Sequence, residues 1–208
     1  MDPFDGCLRA VNDADSAQGL LDAVEDLAEL QDERAIPTLI QVLGFNNPGA
    51  AVAAVDGLVK IGIPAVESIL EKLDGYNYGA RAWAIRALAG IGDARGQSLL
   101  LEAAAHDFSL SVRRAAARGL GTIRWQTIPE AKRYDAMARS QTVLLTVTDD
   151  DEWVVRYAAV VGLEALALQL TKTAPILEKL EHLSQQDDTA AVRARAQWAL
   201  EKLIRKTD

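Results

Sequence analysis

The sequence predicts an all-α solenoid: about six helical hairpins stacked in a row as one right-handed repeat domain over residues 1–208. Three observations carry that prediction. An internal repeat fills the chain, its apolar positions recur at helical spacing, and glycines fall where helices should stop. Residues 49–62 align without gaps on residues 79–92, and the pattern returns at 112–120, 155–163 and 192–200. A weaker copy leads the series at 20–30. Leu27, Leu58, Leu88, Leu120, Leu163 and Leu200 are then equivalent, at spacings of 31, 30, 32, 43 and 37 residues.

Each copy reads as a helix. Ala80, Ala84, Leu88 and Ile91 recur at i, i+4, i+8 and i+11, a single apolar stripe at the 3.6-residue period. Its alanines allow neighbouring helices to approach closely. Gly62 and Gly92 sit where a left-handed glycine ends a helix. A second amphipathic segment separates successive copies, as at 65–73, 97–105 and 175–183, and completes a hairpin. Alternating β-branched residues are almost absent, so no strand is expected. The 43-residue spacing inserts about a dozen residues near 124–140, with Trp125, Pro129, Tyr134 and Met137 among them. Insertions in repeat arrays map to loops on one face, often the binding face.

Composition narrows the function classes. No apolar run reaches the ~20 residues that cross a bilayer, and the acidic start, Asp2-Pro3-Phe4-Asp5, is unlike a secretory signal. Cys7 is the sole cysteine, which excludes an internal disulfide or a multi-cysteine metal site. His106 and His182 are far apart and lack a partner ligand at i+4, so no metal is expected. A formal charge of −8 disfavours nucleic acid, whose binding draws on neutralised phosphates. The arginines are nonetheless concentrated: Arg81, Arg86, Arg95, Arg113, Arg114, Arg118 and Arg124 form one central block. That favours a small anionic ligand over a long polyanion.

The irregular residues are where function should be sought. In a chain that is 5% aromatic, Tyr76, Tyr78 and Trp83 crowd around one helix start together with Arg81 and Arg86. Trp125, Trp153 and Tyr157 are further aromatic candidates for stacking, whereas Trp198, in the last repeat, is assigned to a cap or a partner contact. Arg81 and Arg113 either meet a ligand or pair with turn aspartates such as Asp74 and Asp107. Arg86, Arg114 and Arg118 lie outside such a ladder. The acidic run Asp149-Asp150-Asp151-Glu152 is suited to capping the helix that follows it.

The Val-Arg-x-x-Ala pattern resembles HEAT-like repeats, in which that helix lines the inner surface. On this resemblance three rows face a groove: Ala82, Arg114 and Tyr157; Trp83, Ala115 and Ala158; Arg86, Arg118 and Val161. The runs 76–93 and 107–120 resemble, more specifically, the F-type subunits of the heterodimeric E/F bilin lyases of phycobiliproteins. The repeats cover the whole chain and are generic; the two runs carry the specificity.

The resemblance implies an enzyme subunit that works with an E-type partner to attach phycocyanobilin to a cysteine of the phycocyanin α subunit, without a permanently bound cofactor. It also implies a cytoplasmic setting, in a cyanobacterial cytosol or a plastid stroma. Isomerising relatives carry a His-Cys pair in the stretch matching 76–83; here Tyr76, Asn77 and Tyr78 stand instead, so simple attachment is expected. The bilin-binding residues expected are Tyr76, Tyr78, Arg81, Trp83, Arg86, Arg114, Arg118 and Tyr157. Asp107 or Asp151 would meet the pyrrole N–H groups, or else cap helices. The competing expectation is a non-enzymatic HEAT-repeat scaffold, or a phycobilisome assembly or disassembly factor.

Overall fold

The computed structural model describes residues 2–72 and 78–205. Among these residues the regular structure is helical, with no strand. The chain divides into two compact units, residues 1–96 and 97–208.

The first unit holds three hairpins: α1 (Pro3–Asp13) with α2 (Ala17–Glu29), α3 (Ile36–Val42) with α4 (Pro48–Ile61), and α5 (Ala65–Lys72) with α6 (Tyr78–Ile91). Side-chain caps fix several helix starts. Asp2 accepts a hydrogen bond from the Phe4 N–H at 3.1 Å, and Ser16 from the Gly19 N–H at 3.1 Å. Asn47 accepts from the Ala50 N–H at 3.1 Å while its amide donates to the Ala17 carbonyl at 2.9 Å, so one residue starts α4 and ties it to α2. Pro3 and Pro48 supply the fixed φ of a first helical turn. Gly62 and Gly92 stop α4 and α6 at φ of 79° and 69°, the left-handed conformation that glycine adopts at no steric cost. The hairpins stack through their second helices, α2 on α4 and α4 on α6. Val24, Leu27, Leu39, Leu58, Ile69, Ile85 and Leu88 fill the core between them. Of the expected stripe in α6, Ala84, Leu88 and Ile91 are buried, and Ala80 in the first turn is half-buried.

The second unit repeats the plan: α7 (Gln97–His106) with α8 (Leu110–Gly121), α9 (Glu130–Val147) with α10 (Trp153–Ala167), and α11 (Ala174–Gln186) with α12 (Ala190–Ile204). Its stacking order is α8, α10, α12. The extra residues near 124–140 form a short 3-10 turn, Trp125–Thr127, and the first half of the long α9. Gln97 anchors that helix: its buried amide donates to the Ala136 carbonyl at 2.6 Å and to Ser140 Oγ at 3.0 Å. In α12 the stripe drifts, burying Val192, Ala196, Ala199 and Leu203 while Leu200 is half-buried.

An arginine ladder bonds the turns of this unit. Arg113 donates to the Asp107 and Phe108 carbonyls behind it and forms a two-pronged pair with Asp150 ahead of it, at 2.7 and 3.0 Å. Arg156 repeats the arrangement one hairpin later, with the Asp150 and Asp151 carbonyls behind and Asp187 ahead at 2.8 and 3.0 Å. Arg193 takes the Asp187 and Asp188 carbonyls. Each turn aspartate also closes the turn before its helix, Asp107 accepting from Ser109 N–H, Asp150 from Glu152 N–H and Asp187 from Thr189 N–H, all at 2.9 Å. The expected partner of Arg113 is therefore corrected: it takes the carbonyl of Asp107 and the carboxylate of Asp150. Burial opposes the charge on Asp150 and Asp187, but the bonds from Arg113 and Arg156 and from the Glu152 and Thr189 N–H groups more than offset it. Both carboxyls lie below the usual carboxylate value, and both arginines are raised above theirs.

Candidate functional site

Counting back ten, six and two residues from each equivalent leucine selects positions four apart, which share one helix face. In α6 these are Tyr78, Ala82 and Arg86; in α8, Leu110, Arg114 and Arg118; in α10, Trp153, Tyr157 and Val161; in α12, Ala190, Ala194 and Trp198. This face holds the large side chains that the core does not use. Tyr78, Leu110, Trp153 and Trp198 are exposed hydrophobics. Arg114 and Arg118 are exposed, while Arg86, Tyr157 and Val161 are half-buried.

In the first unit the structure brings Trp83 and Arg86 together, with the guanidinium 4.5 Å from the ring centroid. A cation over an aromatic face is attracted by the ring quadrupole, by about 0.5–1 kcal/mol at an exposed site. The pairing also presets both side chains, so less rotamer entropy remains to be lost when a ligand binds. Tyr78 opens the same helix and is partly exposed. Tyr76 and Asp74 lie outside the described residues. Arg81 is half-buried at the helix position that Arg113, Arg156 and Arg193 occupy in the ladder. Its place in the pattern aligns it with turn bonding.

In the second unit, Arg114 and Arg118 stand one turn apart on α8, with no ion pair among the described residues. Two exposed guanidiniums at i, i+4 repel by a few tenths of a kcal/mol, a cost that an anionic ligand would remove. Tyr157 lies on the adjacent α10. The remaining expected row changes character: Ala158 is buried against the neighbouring helices, so the row of Trp83, Ala115 and Ala158 is packing surface at that point rather than open face. Trp125 is also corrected, because at 1% exposure it is core and offers no ring for stacking.

Asp107 accepts a hydrogen bond from the Ser109 N–H at 2.9 Å in the turn before α8. Asp151 is exposed, and lines a recess of about 370 Å³ with Asp149, Asp150, Arg156, His182 and Asp187. No group of three or more His, Cys, Asp or Glu suited to a metal ion occurs among the described residues. Nor is any described helix long and apolar enough to cross a membrane.

Two features of the exposed face escaped the sequence reading. Leu110 and Trp153 occupy, each in its own repeat, the position equivalent to Tyr78, and Trp198 the position equivalent to Arg86 and Arg118. A second cation–π pair also exists: Arg195 lies 5.1 Å from the Trp198 ring, so the last repeat carries the Trp83–Arg86 pair in exchanged order. Aligning the repeats at four-residue steps, rather than by their alanines alone, finds the first; the second depends on the burial of Arg195, which has no local signal.

Known proteins share the helical-repeat fold. Residues 63–164 match a family model for HEAT repeats, and residues 7–45 match one for the PBS lyase HEAT-like repeat. The chain is 52% identical over 198 residues to a phycobilisome maturation protein of Synechococcus elongatus, covering 94% of this chain and 96% of that one. It is 50% identical over 197 residues to the phycocyanin alpha phycocyanobilin lyase CpcF of Synechocystis sp., covering 94% and 92%. Among solved structures it is similar to the complex of CpcE and CpcF of phycocyanin lyase from Nostoc sp., with a TM-score of 0.75 and 46% identity over 81% of this chain and 99% of the matched chain. A HEAT-like helical-repeat scaffold and identity at this level over nearly the full length place the chain in the family of F-type (CpcF, or beta) subunits of phycocyanobilin lyase.

Proposed function

We propose that this chain is the F-type half of a heterodimeric bilin lyase, acting with an E-type partner to attach phycocyanobilin to a cysteine of the phycocyanin α subunit. The observation that carries the reading is the exposed face of arginines and aromatics set four residues apart on a scaffold whose relatives bear lyase names. Phycocyanobilin is the substrate; the protein's work is to bind and orient it. The nucleophile belongs to the substrate protein. Its thiol adds across the ethylidene group of ring A, the sulfur forming a C–S bond and the proton passing to the tetrapyrrole, which gives a thioether.

That reaction asks little covalent chemistry of this chain and a great deal of positioning. A flexible tetrapyrrole must be held in one conformer with its propionates neutralised. Correct placement of two reactants can supply roughly 7–11 kcal/mol of the barrier. Arginine suits the propionates because its planar fork bonds a carboxylate twice. Arg114 and Arg118, exposed and without an ion pair among the described residues, are the propionate ligands in this reading; Arg86, preset on Trp83 in the first unit, is a separate candidate that the resemblance supplies. Trp83, Tyr78, Tyr76 and Tyr157 supply ring faces for the conjugated system. Arg81 keeps its place as a ligand candidate on the resemblance alone. Asp151, exposed, is preferred to Asp107 as the partner of the pyrrole N–H groups. The setting is the cytosol of a cyanobacterium or the stroma of a plastid.

Co-expression with the E-type subunit, phycocyanobilin and apo-phycocyanin α tests this directly. The product should carry a thioether-linked bilin, seen as covalent fluorescence on a denaturing gel. One relative is named as a maturation protein, which favours a second reading as an assembly factor. That reading predicts binding to phycobiliprotein with no bilin attached and no bilin affinity.

A further inference from the structure

Three helices of the second unit present one row of large side chains. Arg114 and Arg118 lie on α8, Trp153, Tyr157 and Val161 on α10, and Trp198 on α12, with α10 packed directly on both neighbours. Packed helix axes are about 8–10 Å apart, so the row is on the order of 16–20 Å wide. It is cationic at the α8 edge and aromatic across α10 and α12. Trp153 is 45% exposed and Trp198 61%. Their equivalents elsewhere in the row include alanine at 190 and valine at 161, so the scaffold itself does not demand indoles there.

A second, independent observation lies beneath the rings. The Arg195 side chain is only 6% exposed, yet its Nη1 makes no hydrogen bond. Its guanidinium sits 6.0 Å from the Tyr157 ring and 5.1 Å from the Trp198 ring. Glu164 holds it at 2.7 Å, and Lys202 bonds the same carboxylate at 2.7 Å. A buried cation behind two rings spreads positive potential through their outer faces, which favours an electron-rich, anionic conjugated ligand over a neutral one.

We infer that this face is a binding platform for an open-chain tetrapyrrole, with the conjugated rings stacked over Trp153, Tyr157 and Trp198 and the carboxylates at Arg114 and Arg118. The inference rests on the lyase reading above, adds Trp198 as a ligand contact and joins it to the stacking candidates Trp153 and Tyr157 on α10. Arg195 acts through the two rings and is a positioning residue.

The test uses the heterodimer with its E-type partner, titrated with phycocyanobilin and read by visible absorbance and by quenching of tryptophan emission. Trp153→Ala and Trp198→Ala should each weaken bilin binding about five- to tenfold. Trp198→Phe, which keeps a ring, should retain most of the affinity while removing part of the quenched emission. Arg195→Lys should shift the visible band of the bound bilin. If both alanine variants bind bilin normally while Trp83→Ala does not, the platform is wrong and the lyase reading stands. If Trp198→Ala prevents heterodimer assembly on size-exclusion chromatography, the face is a partner surface and the platform is overturned. If the wild-type heterodimer takes up no bilin, the lyase reading fails and takes the platform with it.

Discussion

Two helix contacts inside the second unit solve the same packing problem in opposite ways. Where α8 meets α10, Gly121 faces Gly162 so closely that a Cβ on Gly121 would lie 2.3 Å from the Gly162 carbonyl oxygen. Where α10 meets α12, the position equivalent to Gly121 is Glu164, buried, ion-paired with Arg195 at 2.7 Å and hydrogen-bonded by Lys202 at 2.7 Å. The first contact is backbone against backbone, with no side chain to misplace. The second buries a carboxylate and a guanidinium, whose desolvation is repaid only while both partners are present. Burial opposes the charge on Glu164, but bonds from Lys202 and Arg195 more than offset it, and its carboxyl lies below the ordinary value. One contact maximises close approach. The other accepts an electrostatic risk and, in return, fixes an arginine behind Tyr157 and Trp198.

The largest expected effect comes from breaking the ionic contact on one side. Glu164→Leu leaves Arg195 buried without a counter-charge and should cost about 3–5 kcal/mol, lowering the thermal midpoint by roughly 10 °C for a chain of this size. The double variant Glu164→Leu/Arg195→Met replaces the pair by apolar volume and should recover most of that loss. Circular dichroism melts check both. Recovery in the double variant would show that the pair serves placement of Arg195 more than stability.

The glycine contact should fail next. Gly121→Ala drives a methyl into the α10 backbone, which cannot move as a flexible side chain would, and should cost about 2–3 kcal/mol. Gly6→Ala, with open space around its would-be Cβ, is the matched control and should not destabilise. Urea unfolding midpoints distinguish the two.

The turn ladder gives a smaller, pH-dependent effect. Asp150 and Asp187 have depressed native values, so their stabilisation is complete above the ordinary carboxylate value and is lost as pH falls through the lowered one. Wild-type stability should therefore fall steeply on acidification below about pH 4. Asp150→Asn should flatten part of that fall. Smallest of all, Arg118→Ala should change stability by less than about 0.5 kcal/mol, because the side chain is exposed and forms no ion pair among the described residues.

How much of this was legible in the sequence follows from which physics each residue obeys. Ala84, Leu88, Gly62 and Gly92 obey local rules, periodicity and backbone handedness, so the helices and their ends could be read directly. The pairing of Arg86 with Trp83 was not predicted, although both stand on one helix three residues apart and were flagged together. Long-range partners were less accessible. Arg113 was linked to Asp107, six residues away, whereas its carboxylate partner is Asp150, 37 residues on. Trp125 looked like a surplus aromatic because it sits in an insertion, and only packing shows that it is core. Arg195 was invisible as a feature, since nothing local distinguishes a buried arginine from a solvated one. Trp153 and Trp198 were noticed but not connected, because their relation depends on helix stacking.

The central claim is that the exposed face, rather than the buried contacts, carries the reaction. The direct measurement is the rate of covalent phycocyanobilin attachment to apo-phycocyanin α by the heterodimer bearing Arg114→Ala and Arg118→Ala together, at matched concentrations of folded complex. The account predicts an unchanged melting temperature with attachment slowed at least about tenfold, as expected when two charge-assisted carboxylate contacts are lost. Attachment at the wild-type rate by a folded double variant would contradict it.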